Sequence, residues 1–126
     1  MPKSNVLVVD DEDAIRFLLV SELEAEAYDV QSAGDGDEAI GLIRAKGEQG
    51  EKFDVVLLDI KMPKVDGFEV LKYIKANNPE SKVIMVTAYA DVKNAIESLR
   101  LGASDFVSKP YDLDDILTSI NRALGK

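Results

Sequence analysis

The 126-residue sequence contains no cysteine and no histidine. Without cysteine the chain cannot form disulfides or perform thiol chemistry, and without histidine it lacks the commonest metal ligand and the commonest general base. Any reaction that this chain supports must therefore use carboxylates, hydroxyls and amines.

Long hydrophobic runs are also missing, although hydrophobic residues make up 46% of the sequence. No apolar stretch approaches the roughly 18 residues that a membrane-spanning helix needs. The first residues lead directly into an apolar strand, without the longer hydrophobic stretch and cleavage site of a secretory signal. We therefore expect a cytoplasmic protein that makes no membrane contact.

Basic residues are outnumbered, with 15 Lys and Arg against 24 Asp and Glu, so that the net charge is -9. Such a charge is repelled by the phosphates of nucleic acids and by anionic membrane surfaces. Direct binding of nucleic acid is therefore not expected. The length fits one domain with a single core, and we expect residues 1–126 to form that domain.

Short apolar runs rich in β-branched residues recur along the chain. Runs without polar alternation are typical of strands that are buried on both faces. Four such runs predict strands at 6–9, 55–58, 83–86 and 106–107, and a weaker pattern predicts another strand at 29–33.

The intervening segments carry apolar residues at intervals of three and four, which is the period of an amphipathic helix. The predicted buried stripe is Ile15, Leu18, Leu19 and Leu23 in the first helix, and Val92, Ala95, Ile96 and Leu99 in the fourth. A weaker helix is predicted at 37–46, with a surface loop at 46–52.

Two residues at helix ends agree with these predictions. Gly102 suits a left-handed turn after the fourth helix, and Asp112 suits the N-cap of the fifth. Five strands alternating with five helices predict an α/β fold, (βα)5, with a parallel five-stranded sheet and helices on both faces. Ligands of such sheets bind beyond the carboxyl ends of the strands.

Reactive side chains follow four of the predicted strands. Asp10 and Asp11 follow the first strand, Asp59 the third, Thr87 the fourth and Lys109 the fifth. Because the carboxyl ends of parallel strands meet at one edge of the sheet, these side chains should converge. A phosphoryl-transfer site is indicated, because a hydroxyl and an ammonium can hold phosphoryl oxygens.

Carboxylates that converge repel one another unless a cation neutralises them. With oxygen ligands alone, Mg²⁺ fits better than zinc or copper. The backbone carbonyl of Lys61 is a further candidate ligand. Asp59 is the expected nucleophile, because aspartyl phosphates are a known type of covalent intermediate and a carboxylate needs no base to activate it.

Four segments resemble the receiver domains of bacterial response regulators, and together they extend over nearly the whole chain. They read VVDDE at 8–12, LLDIKMPKVDG at 57–67, VTAY at 86–89 and GASDFVSKP at 102–110. The resemblance implies a flavodoxin-like fold with strand order 2-1-3-4-5. The sequences of these motifs are most similar to those of receivers of ATPase-type transcription activators and of single-domain phosphorelay receivers.

The resemblance also implies a function in two-component signalling. Asp59 would be phosphorylated by a histidine kinase or a histidine phosphotransfer protein, with Mg²⁺ held by Asp10, Asp11, Asp59 and the carbonyl of Lys61. The chain would be an acceptor that assists its own phosphorylation and dephosphorylation, not an enzyme with external substrates. An output domain in the full-length chain and a monomer or a weak phosphorylation-dependent dimer are the further expectations.

A conformational switch is the last implication of the resemblance. Lys109 and Thr87 would contact the phosphoryl group, and Phe106 would rotate inward as the Thr87 hydroxyl moves. Phenylalanine lacks the hydroxyl that tyrosine offers at this position, so the coupling between the two states is expected to be looser.

Other interpretations of the same residues remain open at this point. The chain could be a flavodoxin-like interaction module that is never phosphorylated, or a phosphatase with an aspartyl nucleophile. A flavin or dinucleotide site is disfavoured, because Asp11, Glu12 and Asp13 would repel the phosphate. Asp10 and Asp11 could also simply cap the first helix.

The first helix carries a further signal, because Phe17 and Val20 lie off its predicted buried stripe. Exposed apolar residues often mark a surface for a partner. We expect Ala14, Phe17 and Ser21 to face the phosphodonor, and the alternative is that the buried face of this helix is simply broader.

Overall fold

The computed structural model describes residues 3–126, which form five strands and five helices in strict alternation. The strands are β1 (Asn5–Val9), β2 (Asp29–Ala33), β3 (Val55–Leu58), β4 (Lys82–Thr87) and β5 (Asp105–Ser108). The helices are α1 (Asp13–Ala25), α2 (Gly36–Glu48), α3 (Gly67–Asn77), α4 (Val92–Arg100) and α5 (Leu113–Ala123). All strand pairs are parallel and the order is β2-β1-β3-β4-β5, which confirms the predicted fold.

Helices cover both faces of the sheet, and each face has its own hydrophobic cluster. In β1, Leu7 and Val9 join the cluster formed with α2 and α3, whereas Val6 and Val8 join the cluster formed with α1 and α5. Successive side chains of a strand point to opposite faces. The continuous apolar run in β1 is therefore explained by burial on both sides, as predicted.

Helix ends largely agree with the sequence predictions. Asp112 caps α5 in a capping box with Asp115, and Gly102 follows α4 with a φ of 100°, as expected for a left-handed turn. The predicted loop at 46–52 was wrong in part, because α2 continues to Glu48. Gly50, two residues after the end of α2, has a φ of 74°.

The predicted buried stripes of α1 and α4 were partly wrong. Leu18 is 62% exposed, and in α4 Val92, Ile96 and Leu99 are 75%, 54% and 57% exposed. The buried residue of α4 is Ser98, whose hydroxyl donates a hydrogen bond to the Asn94 carbonyl at 2.8 Å. Small side chains thus form the inner face of α4, and its apolar stripe faces outward.

None of the helices within residues 3–126 is both long and apolar enough to cross a bilayer.

The turn between β3 and α3 brings the start of α3 back against the end of β3. The Gly67 backbone N–H donates to the Ile60 carbonyl at 2.7 Å. A Cβ at Gly67 would collide with the carbonyl oxygen of Asp59 and lie 2.8 Å from the Ile60 Cα. Only a residue without a side chain therefore allows the backbone at position 67 to approach the backbone of Asp59 and Ile60 this closely.

We predict that Gly67→Ala lowers the free energy of unfolding by about 1–3 kcal/mol, the usual cost of forcing an extra methyl group into a packed site. Denaturant unfolding monitored by circular dichroism measures this difference. The matched control is Gly41→Ala in α2, where an added Cβ would meet no atom within 4 Å. That variant should gain about 0.5–1 kcal/mol, because alanine is the better helix former. Equal stability of the Gly67 variant and wild type would contradict the close approach.

Candidate functional site

The carboxyl ends of β1 and β3 place two aspartates side by side. Val9 pairs with Leu58 in the parallel register, so that the next residues, Asp10 and Asp59, are neighbours. The Asp59 N–H donates to the Val9 carbonyl at 3.1 Å, which extends this pairing past the strands. Both aspartates are only 5% exposed.

Lys109 reaches both aspartates from the end of β5. Its Nζ donates to Asp10 Oδ2 at 2.8 Å and to Asp59 Oδ2 at 3.0 Å. Its side chain is itself only 9% exposed. Lys109 is 50 positions from Asp59 and 99 positions from Asp10, yet all three meet in one charged cluster, as the positions after the strands predicted.

Asp11 completes an acidic cluster. One carboxylate oxygen from each of Asp10, Asp11 and Asp59 lies within 4.8 Å of the others. Asp11 is exposed whereas its two neighbours are buried, so the cluster opens to solvent on its side. Three oxygens at this spacing suit a hard divalent cation, which prefers carboxylate ligands and retains some of its waters.

Burial and hydrogen bonding shift the pKa values of Asp10 and Lys109 away from their ordinary values. Burial raises the pKa of Asp10, although hydrogen bonds from Lys109 and from the Glu12 N–H oppose the rise. Burial alone would lower the pKa of Lys109, but the hydrogen bonds to Asp10 and Asp59 and their negative charges raise it above its ordinary value. Lys109 therefore stays an ammonium at neutral pH.

One atom of this cluster lacks a partner among the described residues. Asp59 Oδ1 is buried and accepts no hydrogen bond. A buried carboxylate oxygen without a donor is costly. A cation or an incoming electrophile at this oxygen would satisfy it, so the residues present fit a divalent metal ion and a transferred group.

Among the described residues, the side chains of the predicted switch residues, Thr87 and Phe106, make no hydrogen bond to the charged cluster. Thr87 is fully buried at the end of β4, and its hydroxyl accepts a hydrogen bond from the Tyr89 N–H at 3.1 Å. Among residues 3–126 no side-chain hydrogen bond joins Thr87 to Asp59 or Lys109, but the Lys109 backbone N–H donates to the Thr87 carbonyl at 2.9 Å. Phe106 is partly buried and packs against the cluster formed with α2 and α3.

Lys61 and Tyr89 border the opening above Asp59. Both line a cleft that also includes Asp11, Asp59 and Lys109. The Lys61 Nζ lies 5.3 Å from the centroid of the Tyr89 ring, which is a cation–π distance. The participation of the Lys61 carbonyl as a ligand remains a prediction.

The capping alternative for Asp10 and Asp11 is wrong. The N-cap of α1 is Glu12, and no side chain caps this helix end. The Asp10 carboxylate instead accepts the Glu12 N–H at 2.9 Å within the loop.

Two contacts in this loop were not predicted from the sequence. Glu12 Oε1 is a third acceptor for Lys109, at 3.1 Å. Arg16 Nη1 donates to the Asp10 carbonyl at 2.7 Å. Charged residues within six positions of the aspartates were the available signal, but their direction depends on side-chain rotamers.

Comparison with known proteins places the chain in one family. The family model of the response regulator receiver domain matches residues 6–121. The chain therefore belongs to the response regulator receiver domains, as its motifs indicated.

Relatives and solved structures agree with this assignment. The regulatory protein AtoC of Escherichia coli is 39% identical over 121 residues, which are 96% of this chain and 25% of AtoC. A CheY-like receiver domain from Methanospirillum hungatei JF-1 has a TM-score of 0.89 and 35% identity, covering 98% of this chain and 94% of that chain. A response regulator from Burkholderia pseudomallei, with a phosphorylated aspartic acid and a calcium ion, has a TM-score of 0.85 and 27% identity, covering 98% and 70%.

The chain spans about a quarter to a half of the length of the curated relatives that it matches. Several of these relatives are named regulatory or transcriptional regulatory proteins, which confirms the expected resemblance to receivers of larger regulators.

We predict that Mg²⁺ stabilises this chain and that Asp11→Asn weakens the effect. Stabilisation should reach about 2.7 kcal/mol when free Mg²⁺ exceeds its dissociation constant about 100-fold. Asp11 is exposed and accepts no hydrogen bond among residues 3–126, so its replacement removes no contact, and the loss of one repelling carboxylate should leave the metal-free stability equal or slightly higher. Thermal unfolding over a Mg²⁺ titration measures both quantities.

The control for that titration is Asp37→Asn, which removes an exposed carboxylate from the first turn of α2. Its Mg²⁺ response should match that of wild type. An identical response of the Asp11 variant would exclude Asp11 as a ligand.

Proposed function

We propose that this receiver domain accepts a phosphoryl group on Asp59 in a reaction that depends on Mg²⁺. The observation that carries the proposal is the environment of one carboxylate. Asp59 Oδ2 is held by the Lys109 ammonium, while Oδ1 is buried with no partner among the described residues. Lys109 thus offsets the charge on one oxygen, and the other has no hydrogen bond that an incoming phosphoryl group would have to break.

The reaction is a transfer between a phosphorylated imidazole and a carboxylate. The Asp59 oxygen forms a bond to phosphorus as the nitrogen–phosphorus bond of the donor breaks, and the bonding pair leaves on the imidazole, which takes up a proton. Such transfers require positioning and neutralisation of charge on the equatorial oxygens. The Lys109 Nζ, now shared among three carboxylates, is placed to donate to one of those oxygens.

Asp10, Asp11 and Asp59, together with the Lys61 carbonyl, would hold the Mg²⁺ ion. When bound, the ion supplies positive charge that offsets both the clustered carboxylates and the phosphoryl oxygens. The phosphorylated aspartic acid and the calcium ion of the Burkholderia pseudomallei regulator support this assignment.

The response to phosphorylation would pass through Thr87 and Phe106. A hydroxyl can accept one hydrogen bond while donating another, so Thr87 can keep the Tyr89 N–H and still turn its proton toward a phosphoryl oxygen. Phe106 sits in β5 beside Met85 of β4, two residues before Thr87. A shift of the β4–α4 connection would therefore change the space beside this ring and the outer surface of α4.

The phosphoryl lifetime would depend on Lys61 and Tyr89, which border the cleft through which water reaches Asp59. The acceptor would thus assist its own dephosphorylation without acting on external substrates. The alternative of a phosphatase with an aspartyl nucleophile is disfavoured, because the residue two positions after Asp59 is Lys61 and offers no carboxylate to protonate a leaving group.

The phosphodonor would be a histidine kinase or a histidine phosphotransfer protein, which would bind over α1. Phe17 and Leu18 of this helix are 63% and 62% exposed. Ala14 and Ser21 are also exposed, as the docking hypothesis requires, whereas Val20 is partly buried against the core. The output would belong to a larger protein or to a separate target. The protein would lie in the cytoplasm, and it would be a monomer or a weak phosphorylation-dependent dimer.

We predict that Asp59→Asn abolishes labelling by acetyl phosphate in the presence of Mg²⁺, because the amide is not nucleophilic. Mass spectrometry of the intact protein measures the added phosphoryl group. The control is Asp66→Asn, which changes the N-cap of α3 to a residue that caps equally well and should be labelled normally. Stoichiometric labelling of the Asp59 variant at another residue would refute the assignment, and a wild type that stays unlabelled would favour the unphosphorylated interaction module.

We predict that Phe17→Glu slows phosphotransfer from a phosphorylated kinase domain by at least about 10-fold and leaves labelling by acetyl phosphate at saturating Mg²⁺ unchanged. A buried apolar contact replaced by a carboxylate loses about 1.5–3 kcal/mol of burial, which corresponds to this factor. The matched control is Val92→Glu, which adds the same charge at a position of α4 that is 75% exposed. Equal transfer rates for the two variants would show that the phosphodonor does not dock on α1.

A further inference from the structure

Arg16 is a nearly buried cation that faces the backbone of the site. Its side chain is 12% exposed, whereas that of its ion-pair partner Asp13 is 75% exposed. Nη1 donates to the Asp10 carbonyl at 2.7 Å, and Nη2 donates to Asp13 Oδ1 at 2.7 Å. The guanidinium therefore links the first turn of α1 to the peptide group that joins Asp10 to Asp11.

Two neighbours restrict where this guanidinium can lie. A Cβ at Gly34, in the turn between β2 and α2, would lie 3.2 Å from Arg16 Nη1 and 3.6 Å from its Cζ. On another side, Arg16 Cζ lies 5.2 Å from the centroid of the Phe17 ring. The absence of a side chain at Gly34 leaves the space that the guanidinium occupies.

Asp10 and Asp11 depend on this contact to different degrees. The Asp10 N–H donates to the Ala33 carbonyl at 3.2 Å, and its carboxylate accepts hydrogen bonds from the Glu12 N–H and from Lys109. Asp11 has no side-chain hydrogen bond among residues 3–126. The direction of its carboxylate is therefore set by the backbone, and the Arg16 bond fixes the peptide that precedes it.

We propose that Arg16 is a positioning residue for divalent-metal binding, holding the Asp10–Asp11 peptide so that both carboxylates face one ion. This inference rests on the proposed function, because it concerns the same metal site. Arg16 touches neither the ion nor the transferred group, and it acts through the backbone of two ligands.

The sign of the effect separates positioning from simple electrostatics. Arg16 carries a positive charge close to the acidic cluster, so Coulomb repulsion alone predicts that its removal tightens Mg²⁺ binding. A positioning role predicts weaker Mg²⁺ binding instead, because ligands that have lost their supporting contacts must be ordered when the ion binds, and this ordering costs free energy. Loss of such a support typically costs about 10-fold to 100-fold in metal affinity.

The test is the Mg²⁺ dissociation constant of Arg16→Met, measured by isothermal titration calorimetry. Methionine fills similar space without a donor, and we expect binding to weaken about 10-fold. Arg16→Lys keeps the charge and one donor, so it should recover part of the affinity. Amide chemical shifts of Asp11 and Glu12 in the metal-free protein should change in the methionine variant, as a reordered loop requires.

Two control variants isolate the carbonyl contact. Arg100→Met removes an exposed arginine from a comparable i,i+3 ion pair with Glu97, and it should leave Mg²⁺ affinity unchanged. Asp13→Asn removes the charge of the Arg16 partner but spares the bond to the Asp10 carbonyl, so binding should remain near that of wild type. A loss in Asp13→Asn as large as that in Arg16→Met would overturn the proposal in favour of the ion pair.

Gly34→Ala gives a second test that leaves Arg16 in place. The added methyl group would press on Nη1 and should weaken Mg²⁺ binding by a smaller factor. In the Arg16→Met background the same change should have no further effect, because nothing remains to be displaced. If Arg16→Met does not fold, this variant and Arg16→Lys carry the test.

Unchanged or tighter Mg²⁺ binding by folded Arg16→Met would overturn the inference. Labelling of Asp59 by acetyl phosphate at saturating Mg²⁺ then shows separately whether the proposed function holds. A variant that is labelled fully but binds Mg²⁺ like wild type refutes only the role of Arg16. A wild type that is never labelled refutes the proposed function itself.

Discussion

The hydrogen bonds from Lys109 to Asp10 and Asp59 are the interaction on which the site depends. Two neighbouring carboxylates that are each 5% exposed repel one another unless a cation lies between them. One ammonium from the far end of the chain supplies that charge, at 2.8 and 3.0 Å. In the absence of a metal ion it stabilises the acidic cluster, and it also leaves one Asp59 oxygen without a partner. The same ion pair is therefore a structural contact, and in the proposed function it also prepares Asp59 for phosphorylation.

This arrangement follows from the order of the strands. β1 lies between β2 and β3, and β3 separates it from β4, so the ends of β1 and β3 are adjacent and those of β4 and β5 come next. Burial on both faces fixes the register, because a slip of one residue would exchange the two hydrophobic clusters. The turn at Gly67 then returns the chain without displacing the backbone after Asp59. Positions in the site are thus set by packing of the whole sheet, and the charged side chains add only the final local contacts.

The same reasoning explains what could be predicted from sequence. Strands were predictable because apolar runs such as 55–58 are continuous, and the candidate site residues were found because each lies at the end of a strand or just after it. The outward stripe of α4 was not predictable, because a helical period identifies an apolar face without showing what covers it, and Ser98 gives no signal of burial. The contacts of Glu12 and Arg16 were missed for a different reason. Each is a single long side chain that turns back toward the loop, and sequence spacing does not determine such rotamers.

Because Lys109 is shared among several carboxylates, it also constrains the order of metal binding and phosphoryl transfer in the proposed reaction. Four carboxylates, those of Asp10, Asp11, Glu12 and Asp59, surround this one ammonium, three of them within hydrogen-bond distance. An anionic phosphoryl donor would meet strong repulsion there unless further positive charge arrived with it or before it. A divalent ion bound to three of the carboxylates would remove most of that repulsion and would weaken their hold on Lys109. The ammonium would then be available to the phosphoryl oxygens. Metal binding before phosphoryl transfer is therefore the order that the charges of this cluster favour.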